Sequence, residues 1–240
     1  MAWVRGMIDN YDPPGVLFMP HKTYVIIDGF YFEKHKGILV VRSPELRKNL
    51  CWLEIEKETV DDYESGIRKV QFKGVEILGA TVDGKPGAIQ RLEKMGIPVQ
   101  MCHFHQIAIV TRYTTKNSRI PAAIELVEIV KLLPDTDSES FQFRINGWYE
   151  KWKDFLNERS FDNKTGRNRF THERLRKAYR SVTRHMPNLY TYLDHPGLPN
   201  TTNSLDGYFA HLRDKLNIHR GLRWNRKIKV LNELLRQKNT

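Results

Sequence analysis

Cysteine is nearly absent from this 240-residue chain, occurring only as Cys51 and Cys102. Two thiols make no disulfide framework, which fits a reducing compartment. No C-x-x-C pair occurs, so a four-ligand structural zinc site built on cysteine is not expected. No run of about 18 apolar residues is present, so no transmembrane helix and no membrane partner are expected. The opening stretch MAWVRGMIDNYDPPG lacks the apolar core of a signal peptide. Internal repeats and low-complexity tracts are also missing, which excludes a solenoid or a fibrous chain.

What is present is a substantial apolar fraction and a large, uneven positive charge. At 40% hydrophobic residues the chain can bury one large core, with room for an inserted subdomain. Its formal net charge is +11. Residues 1–141 carry 18 Lys/Arg against 19 Asp/Glu, a net of −1. Residues 142–180 carry 11 against 5 (+6), and residues 211–240 carry 9 against 2 (+7). A basic excess confined to two blocks points to a polyanion, most often nucleic acid. A solvated basic face with no partner is the plainer alternative.

Hydrophobic patterning sets the organisation. Residues 1–21 read as a lead-in, broken by Pro and Gly in DNYDPPGVLFMPH. KTYVIIDGFYF, GILVVRS (37–43) and LCWLEIEKE (50–58) have the β-branched and aromatic content of strands. TVDDYESGIRKVQFKG (59–74) has a cap candidate, Thr59, and a terminal glycine, as a helix requires. VEILGATVDG (75–84) predicts a fourth strand, PGAIQRLEKMG (86–96) a short helix and IPVQMCHFH (97–105) a fifth strand. The order βββαβαβ combines an antiparallel meander with parallel crossovers. It is the order of the ribonuclease H-like fold, with a mixed five-stranded sheet. The first part of that core spans 22–110, an all-helical insertion 111–199, and a final core helix with a basic C-terminal helix 200–240. Within the insertion Trp148, Trp152 and Phe155 make one apolar stripe. Leu205, Phe209, Leu212 and Leu216 give the helix after Asn203 a buried face.

Three acids stand out by position. Asp28 ends YVIID and Asp83 ends ATVD, each followed by glycine. In the expected fold their strands are neighbours, so the carboxylates would meet. Two such charges repel, and a divalent cation relieves that repulsion. Hard oxygen ligands suit Mg²⁺ or Mn²⁺. Taken singly, either Asp-Gly pair is an ordinary turn. Asp206, three residues after Asn203, is suited to a first-turn acid favoured by the helix dipole. It is equally placed to be a third metal ligand, since its helix would pack over the strand-end acids. Three carboxylates suit a two-metal phosphodiester displacement.

IID at Asp28, TVDGKPG at Asp83, the C-x-x-H of Cys102 and His105, and TTNSLDG…HRGL together resemble the bacterial insertion-sequence DDE transposases of the Mutator-like group. The resemblance spans about residues 22–225. It implies a ribonuclease H-like core with a helical insertion, for which the 123 residues from Asp83 to Asp206 leave room. It implies Asp28, Asp83 and Asp206 as catalytic acids and ligands of two Mg²⁺ or Mn²⁺ ions, with zinc not expected. It also implies nicking and strand transfer on double-stranded DNA, at transposon ends and target, by a homo-oligomer in a bacterial cytoplasm at the nucleoid. Asp206 stands where the family usually has Glu. About 20 residues precede the first strand, where relatives carry a DNA-recognition region. The chain therefore reads as a truncated copy, an excised core or one half of a split enzyme.

Asn203, Cys102 and His105 are candidate accessory residues beside the acids. Downstream, Arg213, Lys215, His219, Arg220, Arg223 and Arg226 are candidate contacts to DNA phosphates, which give affinity and register rather than sequence readout. A ribonuclease H-like nuclease or resolvase, and an inactive DNA-binding remnant, are the alternative functions.

Overall fold

The computed structural model describes residues 21–162, 166–218 and 221–237. Of the lead-in only His21 falls within them, as the first residue of β1. The core follows the expected order: β1 (His21–Glu33), β2 (Lys36–Ser43), β3 (Lys48–Ile55), α1 (Val60–Phe72), β4 (Val75–Val82), α2 (Ala88–Lys94), β5 (Val99–Met101). These strands form one mixed sheet in the order β3-β2-β1-β4-β5. β1 is antiparallel to β2 and parallel to β4, and β4 is parallel to β5. The architecture is therefore α/β around a mixed five-stranded sheet.

The sheet is covered on both faces. Val25, Ile27, Leu39 and Val41 point into a core shared with α1 and the middle of the chain. Ile26, Phe30, Ile38 and Val40, one residue out of phase, point to the opposite face. There they meet α8 (Asn203–Ile218) through Leu205, Phe209, Leu212 and Leu216, and α9 (Trp224–Gln237) through Ile228, Leu231 and Leu235. Phe30 stacks on Phe209 with centroids 4.9 Å apart. Trp224 is an anchor, its ring 6.2 Å from Phe32 with the Lys36 ammonium over it.

Between β5 and α8 lie α3 (His103–Thr114), α4 (Pro121–Lys131), α5 (Ser138–Asn157), α6 (Glu173–Leu189) and the single turn α7 (Thr191–Asp194). Trp148 is buried in this layer and donates to the Ala122 carbonyl at 2.9 Å. Trp152 and Phe155 pack against the same core, as their stripe predicts. No described helix is long and apolar enough to cross a membrane.

Three expectations are corrected. The fifth strand ends at Met101, and Cys102 caps a helix rather than extending the strand, because its carbonyl accepts from Gln106 N at 3.0 Å. The insertion is not all-helical: β6 (Arg159–Asp162) and β7 (Arg167–Phe170) form a separate antiparallel ribbon. Asp28 does not close its strand, since β1 continues to Glu33 in partnership with β2 after β4 has ended.

Candidate active site

The register that pairs Ile27 with Val82 puts Asp28 and Asp83 level on adjacent parallel strands, at the point where β4 stops. Asp28 is buried and its Oδ1 accepts from Gly29 N at 2.8 Å. Burial pushes its carboxyl up to about 7; the charges of Asp83 and Asp206 push the same way, while the His105 imidazolium and the Gly29 amide pull it down. Asp83 is half-buried, and its Oδ1 accepts from Tyr63 Oη at 2.9 Å and from Lys85 N at 3.1 Å. These bonds orient Asp83 and leave its Oδ2 without a protein donor among the described residues.

Asp206 lies in the first turn of α8 and is exposed, its backbone N donating to Thr202 O at 3.3 Å. It is close enough for its charge to act on Asp28. The chain leading to it is held tightly. Thr81 Oγ1 donates to Pro199 O at 2.5 Å, His103 N to Asn200 O at 2.9 Å, and Thr202 is fully buried. Asn203, the first residue of α8, is exposed.

The C-x-x-H pair serves that same junction. Cys102 Sγ accepts from Thr202 N at 3.3 Å, and Thr202 Oγ1 lies 3.3 Å from His105 Nδ1. A hydrogen bond with the Cys102 sulfur raises His105 to about 9 against the opposing effect of burial, with further upward pull from Asp28 and Asp83. Against the upward push of burial, the same contact draws the Cys102 thiol down, so the two side chains favour sharing a proton toward the imidazole. The pair ties α3 to the start of α8 beside the acids.

The sequence reading also passed over a carboxylate beside these acids. Glu58, just before the Thr59 capping box, turns its carboxylate against the Gly29 backbone, where a Cβ would lie 2.7 Å from Oε2. Tyr63 Oη lies 2.5 Å from Glu58 Oε1 and 2.9 Å from Asp83 Oδ1. One hydroxyl hydrogen cannot serve both acceptors well. A proton on Glu58 would let it donate to Tyr63 while Tyr63 donates to Asp83. Burial, then the Asp83 charge, holds the Glu58 carboxyl above its ordinary range, as this arrangement needs. Its sequence neighbourhood, Glu54 and Glu56 with Glu58, looks like a solvated acidic run; only the approach to Gly29 distinguishes it.

Glu58, Asp83 and His105 open onto a cleft of about 790 Å³. Its other walls are basic: Lys85 on the loop after β4, Arg112 on α3, and Lys177, Arg180 and Arg184 along α6. These cations were missed although their signal is in the sequence. In ERLRKAYRSVTRH the buried Leu175, Ala178 and Val182 fix one face of the helix, and the basic residues fall on the other.

The phosphate contacts expected from the C-terminal block lie elsewhere, on α8 and at α9. Arg213 is exposed with its guanidinium 4.9 Å from the Phe30 ring centroid, two residues along β1 from Asp28. Lys215 borders a shallow hollow with Tyr208 and His211. Arg223 is exposed ahead of α9 and Arg226 is half-buried in its first turn. His219 and Arg220 lie outside the described residues. The structure therefore brings Asp28, Asp83, Asp206, Cys102 and His105 to one place, while Arg213, Lys215, Arg223 and Arg226 do not line the cleft.

Gly84 fixes the loop that carries Asp83. Its φ is +82°, and a Cβ there would collide with the Met101 thioether. Gly84→Ala is expected to lower stability by about 2–3 kcal/mol, the sum of left-handed strain and overpacking. Urea unfolding of the two proteins measures the difference.

The donor set is oxygen-rich and electrostatically strained. Its one nearby thiol, Cys102, is fully buried and turned to Thr202 and His105. Carboxylates whose charges push the buried Asp28 toward its protonated form fit a hard divalent cation rather than a thiolate-bound metal. The sequence matches no described protein family and no curated protein.

Proposed function

We propose that this chain is the ribonuclease H-like catalytic core of a DDE-type transposase of the Mutator-like group, nicking and joining DNA strands with Mg²⁺ or Mn²⁺. The observation that carries this reading is the level placement of Asp28 and Asp83 on adjacent strands, with Asp83 lining a basic cleft. Proximal acids alone suit many hydrolases, but basic walls suit a substrate that is itself a polyanion.

Asp28 and Asp83 are the ligands that would hold the cations, with Asp206 the third from α8. Bound cations would activate the attacking oxygen and neutralise charge on the leaving one. The protein's own groups divide the remaining work. Tyr63 and the Lys85 amide fix the Asp83 carboxylate. His105, beside the acids and lining the cleft, is placed to donate a hydrogen bond where the phosphoryl oxygens gain negative charge. Lys85, Arg112, Arg180 and Arg184 hold the flanking phosphates.

The test is incubation with supercoiled DNA and Mn²⁺, beside Asp28→Ala and Asp83→Ala. Each variant is expected to nick at least about a hundredfold more slowly, because several kcal/mol of charge stabilisation leave with the carboxylate. Nicking by the variants at the native rate sinks the assignment.

A further inference from the structure

The β6–β7 ribbon is unused by the site described above, and in the chain it adjoins the exposed basic face of α6 that lines the cleft. Lys177, Arg180 and Arg184 fall at i, i+3 and i+7, a single stripe that lines the cleft together with Asp83. α6 carries this stripe away from the acids toward its own N-terminus at Glu173. The 12 residues from His185, beside Gly84, back to Glu173 span about 18 Å at 1.5 Å per residue. Only Thr171 and His172 then separate α6 from the end of β7.

The ribbon is firmly rooted. The Phe170 ring lies between two guanidiniums, with Arg159 at 4.5 Å and Arg176 at 3.7 Å. Thr171 N donates to Glu158 O at 2.9 Å, and His172 stacks on Phe155 with centroids 3.6 Å apart. Beyond that root its surface is open. Phe161 is 62% exposed, and Arg167, Asn168 and Arg169 are all exposed. The pairing of Phe161 with Asn168 and of Ser160 with Arg169 puts the exposed ring on one face and Arg167 with Arg169 on the other. Two exposed arginines on one face of a firmly rooted ribbon suit contact with a polyanionic partner rather than an apolar protein surface.

We propose that α6 and the β6–β7 ribbon form one track for duplex DNA. The duplex leaves the acid pair along Lys177, Arg180 and Arg184, and the ribbon enters its major groove about five base pairs away, from 18 Å at 3.4 Å per base pair. A two-stranded ribbon fits the major groove of B-form DNA, whereas the deep, narrow major groove of an RNA duplex excludes it. The face bearing Arg167 and Arg169 turns into the groove, where the two guanidiniums reach its phosphates, and Phe161 lies on the face turned away. This deepens the proposed function and rests on its reading of the cleft as a DNA site.

The experiment is fluorescence-anisotropy binding of a short labelled duplex without divalent metal, across a salt series. The proteins are the native chain, Arg167→Ala/Arg169→Ala, Arg180→Ala/Arg184→Ala, and Lys131→Ala as a control that lines no part of the cleft. Each double variant is expected to lower the slope of log affinity against log salt by about two, at roughly 0.9 per phosphate contact. Lys131→Ala should leave it unchanged. Arg167→Lys/Arg169→Lys should restore the slope, which excludes a folding defect as its cause. Phe161→Ser, on the face turned away from the duplex, should leave affinity and slope unchanged, and the native chain should prefer the DNA duplex to RNA of the same sequence. A native slope and affinity in Arg167→Ala/Arg169→Ala overturns the track, even where nicking still depends on Asp83. A lowered slope in both double variants alongside nicking that ignores Asp83 supports the track and overturns the proposed function.

Discussion

Asp28→Asn is expected to unfold at a higher temperature than the native protein above pH 7, by about 4–8 °C, while losing nicking activity. The stability gain follows from a carboxyl that the fold raises from 3.8 to about 7. A raised carboxyl means that the folded state binds the proton more tightly than the unfolded chain. Stability therefore falls with pH between about 4 and 7, and the full penalty remains above 7. Three pH units correspond to a ceiling of about 4 kcal/mol. Asparagine keeps the oxygen that accepts from Gly29 N and removes the repulsion by Asp83 and Asp206. A gain of about 2 kcal/mol is the expectation, which for a chain of this size is about 4–8 °C. Below pH 4 the two proteins should melt together. Mg²⁺ should stabilise the native protein and leave the variant unmoved, since the cation offsets the repulsion that asparagine has already removed. Calorimetric scans at pH 4 and pH 8, with and without Mg²⁺, measure all three effects. Equal melting at pH 8 would remove the electrostatic strain on which the site reading depends.

The second large effect concerns how the helix bearing Asp206 is held. Asn49 on β3 is fully buried. Its Oδ1 accepts from Arg42 Nη1 at 2.8 Å, and its Nδ2 donates to Tyr208 Oη at 3.0 Å and to Leu235 O at 2.9 Å. One side chain thus joins the sheet to α8 and α9. Arg42 is itself only 6% exposed, with its guanidinium over the Tyr208 ring. Asn49→Leu strips that buried cation of an acceptor and should cost about 3–5 kcal/mol. Asn49→Asp retains the acceptor and should cost much less. Hydrogen exchange should show α8 and α9 opening more often in Asn49→Leu while the amides of β1 and β4 stay protected. Uniform loss of protection would mean that the two helices are not a separable layer.

The sheet and its two strand acids were legible because apolar runs such as YVII and ATV, each closed by Asp-Gly, leave few alternatives. The cap at Thr59 was equally plain, and the structure adds its reciprocal bonds with Asp62. The ribbon was not legible. RSFD and RNRF are short, polar and exposed, and what stabilises them is Phe170 between two arginines, a contact across strands and a helix. The fifth strand was overextended because the periodicity of MCHFH does not say where a buried strand yields to a buried helix. Glu58 was hidden by its neighbours, and the α6 cations by attention to the more conspicuous C-terminal block. In each case the missing information is which face of a recognised element meets which other element.

The most direct test of the central claim is the nicking rate of native protein and Asp28→Asn, compared at pH 8 with Mn²⁺ on supercoiled DNA. Because the variant is expected to be the more stable of the two, lost activity there cannot be unfolding. The account predicts metal-dependent nicking by the native chain and a loss of at least about a hundredfold in the variant. Nicking by Asp28→Asn at the native rate would contradict it.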